Sequence, residues 1–380
     1  MDFTFSDEQQ HFAAAIRDFC QRECGTQEQR ERLTNGYSEQ HSAEVYKKMA
    51  ELGWLGVTID ERLGGSGGGM VDACIFMEET SRGLAPIGGY GTTLIVAGGV
   101  QRFGSDEQKE KILGGIAGGS VEAIAMTEPE AGSDVGSLTT SAERVNGGFV
   151  LNGQKVFCSN AHISDHVLVI ARTSKGESKH EGLSMIFIPT DNPAMEIKPI
   201  DTLGGRETNY LYLTDCEAPA DAVLGEVDQG WMQLMAGLNV ERLILSAIML
   251  GIGERAFDDA LAYVKERKQF GRPIGSFQAL QHRLADLATE LEAARLMTYW
   301  VASKVDDDPD TMLPREASMV KLFVTETAQK AALEGMQMMG GYGYSSEYDM
   351  ERLVRATLVA TIYGGTSEIQ RNIIAKTLGL

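Results

Sequence analysis

Cysteine is scarce in this chain, and basic charge is in the minority. The 380 residues include five cysteines, Cys20, Cys24, Cys74, Cys158 and Cys216. An odd, scattered set makes no disulfide framework and suits a reducing compartment. Cys20 and Cys24 share a helix face, and His162 and His166 stand four positions apart. No further His or Cys pair completes a metal site at either place, so no metal is expected. Lysine and arginine number 34 against 54 aspartates and glutamates, a net charge of -20. Such a field argues against nucleic acid and anionic membrane as partners. No run of eighteen apolar residues occurs, so no membrane-spanning helix is expected. The start, Met1-Asp2-Phe3-Thr4-Phe5-Ser6-Asp7-Glu8, is acidic where a signal peptide would be basic, and the expected location is the cytoplasm.

What is present divides by periodicity into three parts, within a length that allows two or three domains. Residues 1–119 read as helical. Ser6 and Gln9 form a capping-box pattern ahead of Phe12, Ala13, Ile16, Phe19 and Cys20. Val45, Met49 and Leu52 mark a second helix, and 70–85 and 105–116 are further candidates. The tract Gly64-Gly65-Ser66-Gly67-Gly68-Gly69 lacks the Gly-Lys-Ser/Thr ending of a phosphate loop and reads as a flexible turn between helices. Residues 120–226 turn to strands, with Asn146-Gly147 and Asn152-Gly153 as hairpin signals. Runs at 167–171, 183–188 and 210–213 complete a pattern that suggests an antiparallel barrel or sandwich. Residues 227–380 return to long helices over 278–301, 315–339 and a first one through Leu243, Leu250, Phe257 and Val264. A short helix follows with Thr366 or Ser367 as cap. The fold class is α+β: a helical domain, a β domain and a four-helix bundle.

One carboxylate breaks the bundle's pattern. Glu241 lies in the run Leu238 to Ser246, where its helical face-neighbours are Leu238, Ile244, Leu245 and Ile248. Burial on that stripe would raise its pKa above the free glutamate value, towards what a general base needs. A core carboxylate neutralised by an arginine such as Arg242 is the alternative from the helix alone.

Four motifs extend the reading: Thr127-Glu128-Pro129-Glu130-Ala131-Gly132-Ser133-Asp134, Arg267-Lys268-Gln269-Phe270-Gly271, Gln337-Met338-Met339-Gly340-Gly341-Tyr342-Gly343 and Tyr363-Gly364-Gly365-Thr366-Ser367-Glu368-Ile369-Gln370. In this order and spacing the chain resembles the acyl-CoA dehydrogenase family over essentially its whole length. The resemblance implies FAD as cofactor and an acyl-CoA thioester as substrate, oxidised to the trans-2-enoyl-CoA with electrons passed to an electron-transfer flavoprotein. It places Ile124, Met126, Thr127, Gly132 and Ser133, with Phe157, Cys158 and Ser159, against the isoalloxazine ring. It assigns Arg267, Phe270, Gln278, Gln337, Gly340 and Gly341 to the FAD of a neighbouring subunit, and Thr366 and Glu368 to further cofactor contacts. A shared cofactor implies a homo-oligomer, with tetramers predominant in the family and a dimer the other arrangement. Ser133, Asn239, Arg242 and Gly365 would border the substrate.

The departures locate the base. Many members carry the catalytic glutamate immediately before the Gly-Thr of the last motif, where this chain has Gly364. A branch resembling isovaleryl-CoA and long-chain acyl-CoA dehydrogenases instead places it on the long helix before an arginine, and Glu241-Arg242 match that pattern. The resemblance therefore implies Glu241 as the base, a placement suited to branched, bulky or long acyl groups. Glu130 replaces a usual glycine, Phe157 a frequent tryptophan, and Asn239 a common aspartate. Two alternatives stay open: an enoyl-CoA-type reductase using the same flavin site, and a flavoprotein without dehydrogenase activity.

Overall fold

A computed structural model describes residues 4–309 and 311–380, apart from the side chain of Asn239. Met1 to Phe3 of the acidic start therefore lie outside the described residues. Along the chain come α1 (Asp7–Cys24), α2 (Gln27–Leu33), α3 (Ala43–Glu51), α4 (Met70–Arg82) and α5 (Gly89–Phe103), followed by broken helix over 106–117. Eight strands follow: β1 (Glu122–Ala125), β2 (Ser141–Val145), β3 (Gly148–Ser159), β4 (His166–Arg172), β5 (Leu183–Pro189), β6 (Met195–Thr202), β7 (Gly205–Pro219) and β8 (Val223–Leu224). Then come α6 (Gly230–Glu266), the hairpin β9 (Lys268–Gln269) and β10 (Arg272–Pro273), α7 (Gln278–Asp307), α8 (Pro314–Met339), α9 (Met350–Leu358) and α10 (Ser367–Thr377).

Contacts gather these elements into two compact units. One comprises Leu33–Gly68 and Pro86–Val240, the other Met1–Arg32, Gly69–Ala85 and Glu241–Leu380. The N-terminal helices are thus shared out, and the pairing of side chains explains why. α1 is tied to α4 through Arg17 and Glu79 (2.5 Å). Arg82 of α4 pairs with Asp258 of α6, also at 2.5 Å, and Arg295 of α7 with Glu78 of α4 at 2.7 Å. Glu78 is buried, and burial, opposed by Arg295, carries it to about 7.

In the unit holding the sheet, strand order is β6-β7-β3-β2-β4-β5-β8, with β1 beside β4. Most pairs are antiparallel, but β1 and β4 run parallel, as do β2 and β4 at one residue pair. The sheet is therefore mixed. β4 shows why it forms a core with two sides. Val167, Val169 and Ala171 enter a core with Ile186, Ile188, Leu211 and Leu213. Leu168 and Ile170 enter another with Val96, Val100, Ile112 and Leu234. Strand periodicity sends alternate residues to opposite faces, and here both faces are covered.

Three local expectations are revised. Asn146-Gly147 is the two-residue turn joining β2 to β3, but Asn152-Gly153 is a bulge within β3, where pairing with β7 slips between Leu151 and Gly153. The glycine tract is no loose turn: the amides of Gly65, Ser66, Gly67 and Gly68 donate to the carbonyls of Asp60, Gly56, Ile59 and Val57. α6 is by length and composition apolar enough to cross a bilayer, although 53% of its most apolar stretch is buried within the protein. It packs as a core helix through Ala256, Ala260 and Val264. The five cysteines are buried and free, and no group of ligands that could hold a metal occurs among the described residues.

Candidate active site

Glu241 is 7% exposed, on the apolar stripe that its spacing predicts. Its Oε2 has no hydrogen-bond partner among the described residues. Burial raises its pKa above the ordinary glutamate value, against the opposing pull of Arg242 and then Lys321. Arg242 is also buried, and burial lowers its pKa while Glu241 works the other way. Arg242 therefore offsets part of the effect of burial on Glu241 without cancelling it.

The turn Gly364-Gly365 lies against this carboxylate. Both residues have positive φ, +59° and +84°, a region costly for any residue with a Cβ. A Cβ on Gly364 would stand 3.9 Å from Glu241 Oε1 and 2.5 Å from Leu245 Cδ1. Position 364 thus faces the same point as the helix-borne glutamate, and Leu245 fills the space that a side chain there would need. Lys321 Nζ donates to Gly365 O at 2.9 Å, and Gln370 Nε2 donates to the carbonyls of both glycines at 2.9 Å. Thr366 is the cap of α10, accepting from the Ile369 amide at 3.2 Å. Thr366 and Glu368 border a cavity of about 520 Å³ with Glu326 and Ile362.

A second set assembles in the sheet-bearing unit. Thr127 and Ser133 flank a loop braced by Glu128, whose Oε2 accepts from the Thr139 amide (2.6 Å) and hydroxyl (2.8 Å). Its Oε1 accepts from the Thr140 amide at 2.9 Å and from Lys155 Nζ at 2.8 Å. Lys155 also donates to Met126 O at 3.1 Å, and the Val156 amide to Thr127 O at 2.9 Å. Burial works against the charge of Glu128, but the Lys155 ammonium and these hydrogen bonds outweigh it and hold the carboxyl at about 2. The loop and β3 are thereby fixed to each other. Phe157 then projects from a bulge of β3 with φ +56° and 63% of its surface exposed. A bulky residue in that conformation is strained, and an exposed ring held so is available to a flat ligand. Gly132 and Ser133 are exposed, and nothing approaches the Gly132 Cβ position within 4 Å. Cys158 differs from its expected place: the thiol is buried and donates to Ile124 O at 3.4 Å. Its carbonyl accepts from Asn209 Nδ2 at 3.0 Å.

The third set lies beyond α6. Phe270 and Gly271 turn the β9–β10 hairpin with positive φ, and the Phe270 ring is 92% exposed. Arg267 stands 5.5 Å from the Tyr342 ring centroid, and both border a cavity of about 480 Å³ with Gln269, Gly340 and Gly341. Nothing lies within 4 Å of the Cβ positions of Gly340 and Gly341, so their backbone is open to close approach. Gln337 and Gln278 are exposed nearby in sequence, at the end of α8 and the start of α7. An arginine lining the same cavity as an open Gly-Gly backbone fits a pyrophosphate. Within the sheet-bearing unit, the exposed Phe157 and the hydroxyls of Thr127 and Ser159 by themselves fit a flavin ring. The Asn239 side chain lies outside the described residues.

Sequence reasoning passed over two buried lysines, Lys155 and Lys321, each with no measurable exposure. The signal was the one that flagged Glu241. Lys321 stands on an α8 stripe with Ala317, Val320 and Val324, all buried.

Three family models match the chain: acyl-CoA dehydrogenase N-terminal domain over residues 6–120, middle domain over 123–216 and C-terminal domain over 228–379. The chain is similar to an acyl-CoA dehydrogenase of Bacillus subtilis, 37% identical over 379 residues that span 98% of each. It is also similar to a 3-(aryl)acrylate reductase of Clostridium sporogenes, 38% identical over 347 residues, 88% of this chain and 90% of that one. Among solved structures, the FAD complex of PigA matches with a TM-score of 0.92 at 29% identity, covering 100% of both chains.

Proposed function

The chain belongs to the acyl-CoA dehydrogenase family, and from that premise we propose that it desaturates an acyl-CoA thioester between Cα and Cβ, with Glu241 taking the α-proton. It is a flavin-linked oxidoreductase whose cofactor is FAD, which when bound supplies the acceptor for the β-hydride. The chain's own residues do the rest. Glu241 offers an oxygen with no hydrogen-bond partner among the described residues, on an apolar stripe that strengthens it as a base. Gly365 and Arg242 border the thioester side, with Ser133 and Asn239 along the substrate path. Ile124, Met126, Thr127, Gly132, the exposed Phe157, the Cys158 backbone and Ser159 hold the ring. Thr366 and Glu368 hold the dinucleotide, as do Arg267, Phe270, Gln278, Gln337, Gly340 and Gly341 from a second copy of the chain in a homo-oligomer, a tetramer by family habit. Electrons leave to an electron-transfer flavoprotein.

The observation that carries this reading is the pairing of Glu241 with Gly364. The chain has one carboxylate at the point that two alternative positions face, and Leu245 occupies the room of the other. The test is anaerobic titration of the flavoprotein with straight, branched and cyclic acyl-CoAs, following flavin bleaching. Bleaching by a branched or long chain is expected; none by any thioester would sink the reading.

The likeness to a 3-(aryl)acrylate reductase supports a second reading, reduction of an enoyl-CoA at the same site. The same groups serve both directions, since a base that removes the α-proton also returns it. Mixing the reduced enzyme with an enoyl-CoA and comparing flavin reoxidation with bleaching by the saturated thioester separates the two.

A further inference from the structure

Lys321 is a buried ammonium that the reaction above does not use. Its Nζ donates to Ala360 O at 2.8 Å and to Gly365 O at 2.9 Å. Gln370, a neutral donor, already holds both carbonyls of the Gly364-Gly365 turn. Hydrogen bonding alone therefore does not call for a charge here, and burying one costs free energy. What an ammonium adds to a neutral donor is its field, and the turn it grips faces Glu241 Oε1. Lys321 and Glu241 each favour the charged form of the other, against burial.

We propose that Lys321 is a positioning residue of the active site: it anchors the Gly364-Gly365 turn and keeps near Glu241 a positive charge that favours the ionised base. This rests on the reading of Glu241 as the base. Glu241 feels Arg242 from its own helix and Lys321 from α8. Lys321 feels Glu241 and Arg242 from α6, Glu326 from α8 and Glu368 from α10, and the Tyr363 ring lies 5.9 Å away. Burial brings Lys321 down to about 8 while Glu241 pulls it up, so the ammonium persists through neutral pH.

The test is the pH profile of kcat/KM for the parent holoenzyme, Lys321→Met and Lys321→Gln, beside Glu241→Gln. Glu241 must be ionised to accept a proton, so its titration sets the acid limb. Removing the nearby positive charge is expected to move that limb to higher pH by about one unit, a tenfold loss on its low-pH side. Lys321→Gln, which keeps a donor without the charge, should move it as Lys321→Met does, and decides alone if the methionine variant fails to fold. Substrate-free infrared difference titration against Glu241→Gln should show the same shift in the buried carboxyl band. An unmoved limb and an unmoved band overturn the role of Lys321, even where thermal stability falls. If Glu241→Gln keeps parental turnover, the base itself is wrong and this proposal falls with it. An inactive Glu241→Gln with an unmoved limb in the lysine variants overturns the proposal alone.

Discussion

Replacing Glu241 by glutamine removes a proton acceptor and preserves shape, so it separates chemistry from packing. Oε2 has no hydrogen-bond partner among the described residues, and Leu245 and Gly364 line the remaining space. The amide therefore enters the same volume without a new clash. A positioned general base contributes about 10²- to 10⁴-fold in rate, or roughly 2.7–5.4 kcal/mol at about 1.36 kcal/mol per tenfold. Flavin bleaching in anaerobic single turnovers should slow by that factor with substrate binding retained. Stability should move the other way. Burial raises the folded-state pKa of Glu241 above its ordinary value of 4.5, so the folded state keeps this proton to higher pH than the unfolded chain. Stability is then lost as pH rises from the ordinary value through the raised one. Glutamine has no such loss, and the variant should show a higher Tm than the parent at pH 8, with the gap closing below about pH 4.5. Calorimetry across that range, read beside the bleaching rates, gives both halves. Bleaching within tenfold of the parent, or a Tm lower than the parent's at every pH, refutes the reasoning.

Four other outcomes follow from the geometry. Gly364→Ala forces a Cβ into a left-handed turn 2.5 Å from Leu245 Cδ1, costing about 1–2 kcal/mol for the backbone and a further ~1–3 kcal/mol for the clash. Urea unfolding should show the loss, and adding Leu245→Ala should restore only the part due to the clash. Lys155→Met leaves Glu128 buried without its cation, a loss of about 3–5 kcal/mol; flavin retention in gel filtration should fall with it. Because Glu128 is held at about 2, its share of stability is present above its ordinary value and lost as pH falls through 2, so the parent's acid unfolding between about pH 4.5 and 2 should flatten in Glu128→Gln. Phe270→Ser should leave protomer stability within about 0.5 kcal/mol, since the ring is 92% exposed, but weaken oligomer and FAD retention in sedimentation velocity; no change in either removes the hairpin from a subunit interface.

Much of the architecture was legible because its signals are local. The capping box of Ser6 and Gln9 is present as predicted. The long helices α7 and α8 begin and end within a few residues of their pattern, apart from the end of α7 at Asp307. α5 escaped notice because Tyr90, Thr93, Leu94, Val96, Ala97 and Val100 are all buried, and a helix covered on several sides shows little amphipathic stripe. Asn152-Gly153 carries turn chemistry but sits within a strand, since pairing with β7 on one side and β2 on the other overrides the local preference. Ion pairs from Arg82 and Glu78 tie α4 to α6 and α7, a pairing that chain order does not show.

By itself the sequence determined which residue types are available. It has a carboxylate on an apolar helix stripe, a glycine where a second base could stand, and four motifs in the order of a flavoenzyme family. The stripe follows from periodicity, and the glycine's place and the motifs from the resemblance to that family; both depend on neighbours along the chain. Only the tertiary structure decided that Gly364 faces Glu241, that Leu245 fills the space beside it, and that Lys321 reaches the same turn from another helix. Residues 241, 321 and 364 are far apart in the chain, and their distances, burial and mutual fields exist only once the helices pack. Proton affinity is set by that desolvation and those charges, so the candidate base could be read in one dimension, but the shift in its proton affinity required three.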